Sequence, residues 1–106
     1  MAKIRAIIKR ADEEYGHVSN ISASLKNLQK LVEGPIETVI VTDDTVIICN
    51  EEGKLRHLPF SFIKGTYPFC DIIVGDIVVV GVEGEEFVDC PLDFATWKWL
   101  LKSWGN

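Results

Sequence analysis

The stretch at residues 71–81 constrains the fold more than any other part of the sequence. It reads DIIVGDIVVVG, and seven of its eleven residues are Ile or Val, which pack well on a pleated sheet and lose rotamer freedom in a helix. It is too short for a membrane-spanning helix, which needs about 20 apolar residues. We therefore predict one central strand, with Gly75 and Asp76 as an interruption that marks a bulge or a close approach of the backbone.

Alternation along this run places apolar residues on both faces, and a strand that is apolar on both faces is covered on both. The sheet is therefore expected to be built around residues 72–80. One predicted face carries Ile73, Ile77 and Val79, and the other carries Ile72, Val74, Val78 and Val80.

The first third of the chain predicts two strands followed by a helix. Lys3–Lys9 alternates as a half-buried strand does, and residues 15–21 favour a short second strand. A serine, Ser22 or Ser24, would cap a helix that runs to about residue 33. Gly34 is expected to provide the left-handed residue that ends this helix. The apolar stripe of the helix consists of Leu25, Leu28, Leu31 and Val32.

The middle of the chain predicts a hairpin. Ile36–Thr42 and Thr45–Asn50 flank an Asp-Asp pair that favours a tight turn. With Thr42 opposite Thr45, one face would carry Val39, Val41, Val46 and Ile48, and the other Ile40 and Ile47. After a second turn at residues 50–53, residues 54–58 are predicted to pair back as a short strand. Residues 59–69 hold two prolines and a glycine, which predicts an ordered loop on the rim of the core.

The end of the chain predicts an edge strand within residues 82–89 and a helix over residues 91–104. The helix has an apolar stripe formed by Phe94, Trp97, Leu100, Leu101 and Trp104. Trp99 lies about 200° around the helix from Trp97 and points away from this stripe, towards Lys102. Trp is enriched at binding interfaces, so Trp99 is an interface residue, a side chain that a loop covers, or a side chain that rests half-exposed.

Together these elements predict a single α+β domain over residues 1–106, a mostly antiparallel sheet of five or six strands with two helices packed on it. Hydrophobic residues make up 47% of the chain and charged residues 25%, a balance typical of a folded domain rather than a disordered one. The net charge of −5 argues against a direct nucleic-acid binder, although it leaves DNA mimicry open. Residues 1–10 show no secretory signal, so a cytosolic location is expected.

Motifs for catalysis or metal binding are not found. Cys49, Cys70 and Cys90 lack metal-ligand spacing, and the first two are expected to be buried, reduced thiols. His17 and His57 have no nucleophile beside them in sequence, and no phosphate-binding or hydrolase motif occurs. The carboxylates cluster at predicted turns, where they are most simply solvated. We therefore expect no enzyme, no cofactor and no metal.

A series of motifs in residues 25–81 nevertheless resembles a known family. GPIE at residues 34–37 is followed by the hairpin, then by NEEGKL at 50–55, LP at 58–59, DIIVG at 71–75 and VVG at 79–81. This order resembles the domain of unknown function numbered 3846, small proteins of bacteriophages, plasmids and integrative elements of Firmicutes. The resemblance carries no activity. It implies an accessory protein in the cytoplasm of a bacterial host, and such proteins often block a host component, as anti-CRISPR proteins and scavengers of nucleotide signals do.

Three functions follow as hypotheses. The first is a non-enzymatic protein, alone or as a homo-oligomer, that binds and blocks a host protein such as a defence system. Its candidate surfaces are Trp99 with Lys102, and the turn and strand that hold Asn50, Glu52, Lys54, Arg56 and His57. The second is a binder that sequesters a nucleotide signal through Lys54, Arg56 and His57, unless these belong to a solvated edge strand. The third is an enzyme whose site is assembled from distant residues.

Overall fold

Eight strands and two helices follow one another along residues 2–106, the part of the chain that the computed structural model describes. The second strand is followed by the first helix, and the second helix comes last. The elements are β1 (Lys3–Lys9), β2 (His17–Ser22), α1 (Leu25–Val32), β3 (Ile36–Thr42), β4 (Thr45–Asn50), β5 (Phe60–Thr66), β6 (Phe69–Val74), β7 (Ile77–Glu83), β8 (Glu86–Val88) and α2 (Phe94–Ser103).

Six of the strands form one antiparallel sheet, and β5 and β6 form a second sheet of two strands. The main sheet has the order β2-β1-β7-β4-β3, and β8 pairs with β7 beyond this path. The hairpin β3–β4 therefore lies beside the central strand, as predicted. The α+β class and the mostly antiparallel sheet are confirmed.

Strand β7 is covered on both faces, which confirms this part of the prediction. Ile77 and Val79 pack against Trp97 of α2 and against the β5–β6 hairpin. Val78 and Val80 pack on the other face, where α1 lies. The main sheet is thus sandwiched between α1 on one side and α2 with the hairpin on the other.

The prediction of one continuous strand through residues 71–81 is wrong, because the chain turns at Gly75. This glycine has a φ of +77°, and a Cβ there would lie 2.9 Å from Leu58 Cδ1. Asp76 fixes the turn, since its Oδ1 accepts a hydrogen bond of 2.9 Å from Ala11 N. The residues before the turn belong to the second sheet, and only those after it belong to the central strand.

The predicted faces of the β3–β4 hairpin are also wrong. Thr42 does lie opposite Thr45, but a bulge between Ile40 and Thr42 shifts the register so that Ile40 faces Val46. A bulge adds one residue to one strand and so reverses the alternation beyond it. The partly buried Val39 and Val41 consequently pack on the same core as Ile47 and Cys49.

Residues 51–58 and 59–69 differ most from the prediction. Residues 51–57 form consecutive turns instead of a strand, and His57 has a left-handed φ of 54°. The expected loop at 59–69 contains strand β5, the turn at Tyr67-Pro68, whose peptide bond is cis, and the start of β6. Its buried Phe62 faces Ile73 of β6 and belongs to the core.

Helix α1 begins as predicted and ends differently. The side chain of Ser24 accepts a hydrogen bond from Asn27 N and caps the first turn. The left-handed residue at the end is Glu33, with a φ of 65°, and not Gly34. Gly34 is required for space instead, because a Cβ there would lie 2.6 Å from Nδ2 of Asn50.

Helix α2 begins at Phe94, three residues later than predicted. Asp93 caps it by accepting a hydrogen bond from Thr96 N. Trp97 is fully buried, donates from Nε1 to Tyr15 O at 2.9 Å and packs edge-on against Phe62 at 5.6 Å. Trp99 is 65% exposed, so the predicted helix phase is correct and no loop covers this side chain.

Lys9 joins the base of the β5–β6 hairpin to β1. Its side chain is almost fully buried, and its ammonium group donates to Ser61 O at 2.9 Å and to Ser61 Oγ at 3.0 Å. Burial lowers the pKa of Lys9 from its ordinary value. The hairpin is therefore attached both through Phe62 in the core and through this buried lysine.

Candidate binding surface

A cavity of about 270 Å³ lies where the end of the β3–β4 hairpin meets β6 and the turns after β4. Its apolar part is formed by Val39, Cys49, Ile73 and Val74, and Leu55 and Ile72 line its exposed side. The cavity lies where β6, a strand of the second sheet, packs against β4 of the main sheet.

Four charged side chains also line this cavity, three of them acidic. Glu37 comes from β3, Glu51 from the turns, and Asp71 from β6, whereas Lys54 is the basic residue among them. Within residues 2–106 these side chains form no salt bridge with one another. The formal charge around the cavity is therefore −2, and all four groups are exposed to solvent.

The thiol of Cys49 is part of the cavity lining, and its environment keeps it protonated near neutral pH. Burial and the adjacent carboxylate of Glu37 raise its pKa from 9.0 to about 11, because both disfavour the thiolate. Its Sγ lies 3.8 Å from Glu37 Oε1 and donates to it. A thiol in this state is a poor nucleophile near neutral pH.

Four exposed apolar side chains lie on the β5–β6 hairpin or next to it. Leu55 and Ile72 line the cavity, whereas Tyr67 and Phe69 lie at the turn of the hairpin. We call these four residues the hairpin patch. Their exposed fractions are 84%, 91%, 88% and 54%. The patch therefore adjoins the cavity through Leu55 and Ile72. Large apolar side chains with such exposure are typical of an interaction site when they lie together.

The sequence does not predict the hairpin patch, because two prolines and a glycine in residues 59–69 favour a loop packed on the core. A signal for it was present, since two runs of apolar and β-branched residues flank the turn at Tyr67-Pro68. Cys70, expected to be buried, is exposed on this hairpin. Cys49 and Cys90 are buried.

The predicted surface at residues 50–57 is divided by the structure. Asn50 is 5% exposed and donates to Val32 O at 3.0 Å, so it belongs to the interior and not to a surface. Arg56 is exposed, but it donates to Glu33 O at 2.7 Å. Both residues thus stabilise the end of α1. Glu52, Lys54 and His57 are exposed in the turns, and of the predicted residues Asn50 and Lys54 line the cavity.

Trp99 and Lys102 lie on a different surface. Helix α2 packs beside β5, whereas the cavity lies beside β6. The ammonium group of Lys102 lies 5.7 Å above the ring of Tyr15, and that of Lys98 lies 4.9 Å from it. The structure therefore does not bring the two predicted surfaces together.

No cluster with the chemistry of a metal site is present in residues 2–106, where no three His, Cys, Asp or Glu side chains are placed to hold an ion. His17 pairs with Glu13, 3.0 Å from its Oε2. None of the helices described is long and apolar enough to cross a membrane.

The comparison with known families supplies the remaining observation. A family model described as Domain of unknown function (DUF3846) matches residues 4–101. The chain belongs to the DUF3846 family. The match is wider than residues 25–81, which carried the resemblance in the sequence, and includes Trp97 and Trp99 of the C-terminal helix. No curated protein and no solved structure matches the chain.

Proposed function

We propose that this DUF3846 protein is a non-catalytic binding protein that engages another protein through the hairpin patch. The observation that carries the proposal is the exposure of four large apolar side chains on and beside a two-stranded sheet. Burying such side chains against a partner contributes about 25 cal/mol per Å² of apolar area. Aromatic side chains, here Tyr67 and Phe69, are also enriched among the residues that dominate binding energy.

The chemistry of the chain favours a protein over other partners. A net charge of −5 repels nucleic acid and anionic membrane surfaces, both of which attract basic proteins. The narrower proposal is that the partner is a host component, such as a defence protein, in the bacterial cytoplasm. It extends the expectation, implied by the resemblance in the sequence, of an accessory protein of a phage or mobile element.

The alternative proposal, a protein that sequesters a nucleotide signal, receives less support from the geometry. It needs basic groups around one site, since phosphate is recognised by Arg and Lys. Arg56 is directed to the end of α1, and Lys54 is surrounded by three carboxylates at the cavity. Such a cavity favours a cation over a phosphate.

The experiment that tests the proposal is native mass spectrometry of the tagged protein recovered from the lysate of a bacterial host. Three baits are compared: the unchanged chain, the double variant Phe69→Ser/Ile72→Ser, and the control Trp99→Ser. The control also removes a large exposed side chain, but from the surface on α2. We expect the same co-purifying protein, at fixed stoichiometry, with the unchanged chain and the control, and its loss with the double variant.

Two results would overturn this assignment. If the partner is lost with Trp99→Ser and retained with the hairpin variant, the binding surface is α2. If the chain is recovered as a bare monomer from every bait, the hairpin patch does not bind a protein in that host. Circular dichroism of the three baits checks that each is folded.

A further inference from the structure

We propose that the acidic cavity beside the hairpin patch receives a single basic side chain, Lys or Arg, from the partner protein. This inference rests on the proposed function and deepens it. It identifies the chemistry of the residue that a partner must present next to the apolar surface that docks on the patch.

The size of the cavity favours one side chain over a whole ligand. Its volume is about 270 Å³, which is below the usual range of about 300 to 1,000 Å³ for small-molecule and cofactor sites. The exposed apolar residues of its lining are Leu55 and Ile72, and both belong to the hairpin patch. A segment docked on the patch therefore has direct access to the cavity.

The lining matches a side chain that is apolar along its stem and positively charged at its end. Val39, Ile73 and Val74 supply apolar contacts, and Lys and Arg bury their methylene groups against such surfaces. Glu37, Glu51 and Asp71 supply negative charge from three separate elements. An acidic partner residue would be repelled, and a purely apolar one would leave these charges without a counter-ion.

The arrangement of the carboxylates favours an organic cation over a metal ion. In the described part of the chain they are not placed as a metal-binding group, and they have no basic partner within the protein. Lys54 is the one charge at the cavity that opposes a cation. Its effect on binding therefore has the opposite sign to that of the carboxylates.

The test is a titration followed by methyl NMR, with N-acetyl-arginine methylamide as the probe. N-acetyl-norleucine methylamide, which is apolar and uncharged, is the matched control. We expect the arginine probe to cause saturable shifts of the methyl signals of Val39, Ile73 and Val74, and the norleucine probe to bind at least roughly fivefold more weakly, as the loss of several exposed charge pairs implies.

Four variants then test the role of charge. Glu37→Gln, Glu51→Gln and Asp71→Asn are each expected to weaken the arginine probe roughly two- to fivefold, as screened surface pairs do. Lys54→Met is expected to strengthen it by a similar factor. Glu85→Gln, which removes a carboxylate from the exposed turn between β7 and β8, is the control and should leave the affinity unchanged.

Equal binding of both probes would overturn the proposal, because the cavity would then be apolar without selecting a charge. The absence of saturable shifts with either probe would also overturn it. These titrations need no partner protein. They can therefore contradict the cavity proposal while the mass-spectrometry experiment supports binding through the hairpin patch, or support the cavity proposal while that experiment contradicts the patch.

Discussion

Strands β6 and β7 are adjacent in sequence and similar in composition, but they differ strongly in their exposure to solvent. In β7, residues 77–80 are at most 1% exposed, although their side chains alternate between the two faces of the sheet. In β6, which ends two residues before β7 begins, Phe69 is 88% and Ile72 54% exposed. The boundary between them is Gly75, whose positive φ turns the chain out of the main sheet.

The difference shows that an apolar run specifies a strand more firmly than it specifies burial. Strand β7 has a neighbour on each side and a helix or hairpin on each face. Strand β6 has one partner strand and leaves its outer part uncovered. Exposed apolar surface is costly to maintain in a soluble protein, and that cost is the reason to look for a partner at β6.

The largest loss of stability is expected at Trp97, which packs in the same core as residues of both β6 and β7. Trp97→Ala should reduce the free energy of unfolding by about 3 to 5 kcal/mol, because it removes a fully buried indole and its contact with Phe62 of the hairpin. Urea unfolding followed by circular dichroism measures this loss.

Trp99→Ala is the matched control on the same helix, and it should change stability by less than about 1 kcal/mol because Trp99 is mostly exposed. Equal losses for the two variants would mean that the phase of α2 is wrong and that Trp99 contributes to the core.

A second pair of variants compares the two strands directly. Ile77→Ala should cost about 2 to 4 kcal/mol, since Ile77 is fully buried in β7. Ile72→Ala in β6 should cost less than about 1 kcal/mol. The same urea experiment applies, and an Ile72 variant as unstable as the Ile77 variant would show that the hairpin patch is part of the core.

The last prediction concerns pH and Cys49, a residue of β4 that lines the cavity beside β6. An unfolded thiol ionises at its ordinary pKa of 9.0, whereas the folded thiol keeps its proton up to about 11. The folded state therefore binds more protons in this range, and the free energy of unfolding should fall as pH rises from 9 to 11, by at most about 3 kcal/mol.

The measurement is urea unfolding at several pH values between 8 and 11, for the unchanged chain and for Cys49→Ala. The fall in stability over this range should be steeper in the unchanged chain, because the variant lacks the titrating thiol. Parallel pH profiles would show that Cys49 is more accessible to solvent than the structure indicates.

Local patterns in the sequence were enough to predict most of the fold. Alternation located β1, the serine before α1 marked its start, and the Asp-Asp pair placed the β3–β4 turn. The errors arose where tertiary contacts decide. The bulge in β3 cannot be recognised from alternation, and the sheet to which β6 belongs depends on the turn at Gly75.

The candidate site was less accessible to prediction for the same reason. Asn50 and Arg56 are polar residues next to a turn, a context typical of a surface, yet their hydrogen bonds to the end of α1 give them a structural role. Lys54, a predicted site residue, lines the cavity. Two of the three acidic residues beside it at the cavity, Glu37 and Asp71, come from β3 and β6, which are distant in sequence.

The side chain of Asn106 has a consequence for how this protein can assemble. It accepts from Ile63 N at 2.9 Å and donates to Ile63 O at 2.7 Å, the two bonds that a further strand would form with β5 at that point. Two-stranded sheets with apolar faces are prone to extend into filaments by adding strands at both edges. Because Asn106 occupies both backbone groups of Ile63, the edge of β5 cannot pair with a further strand at this position.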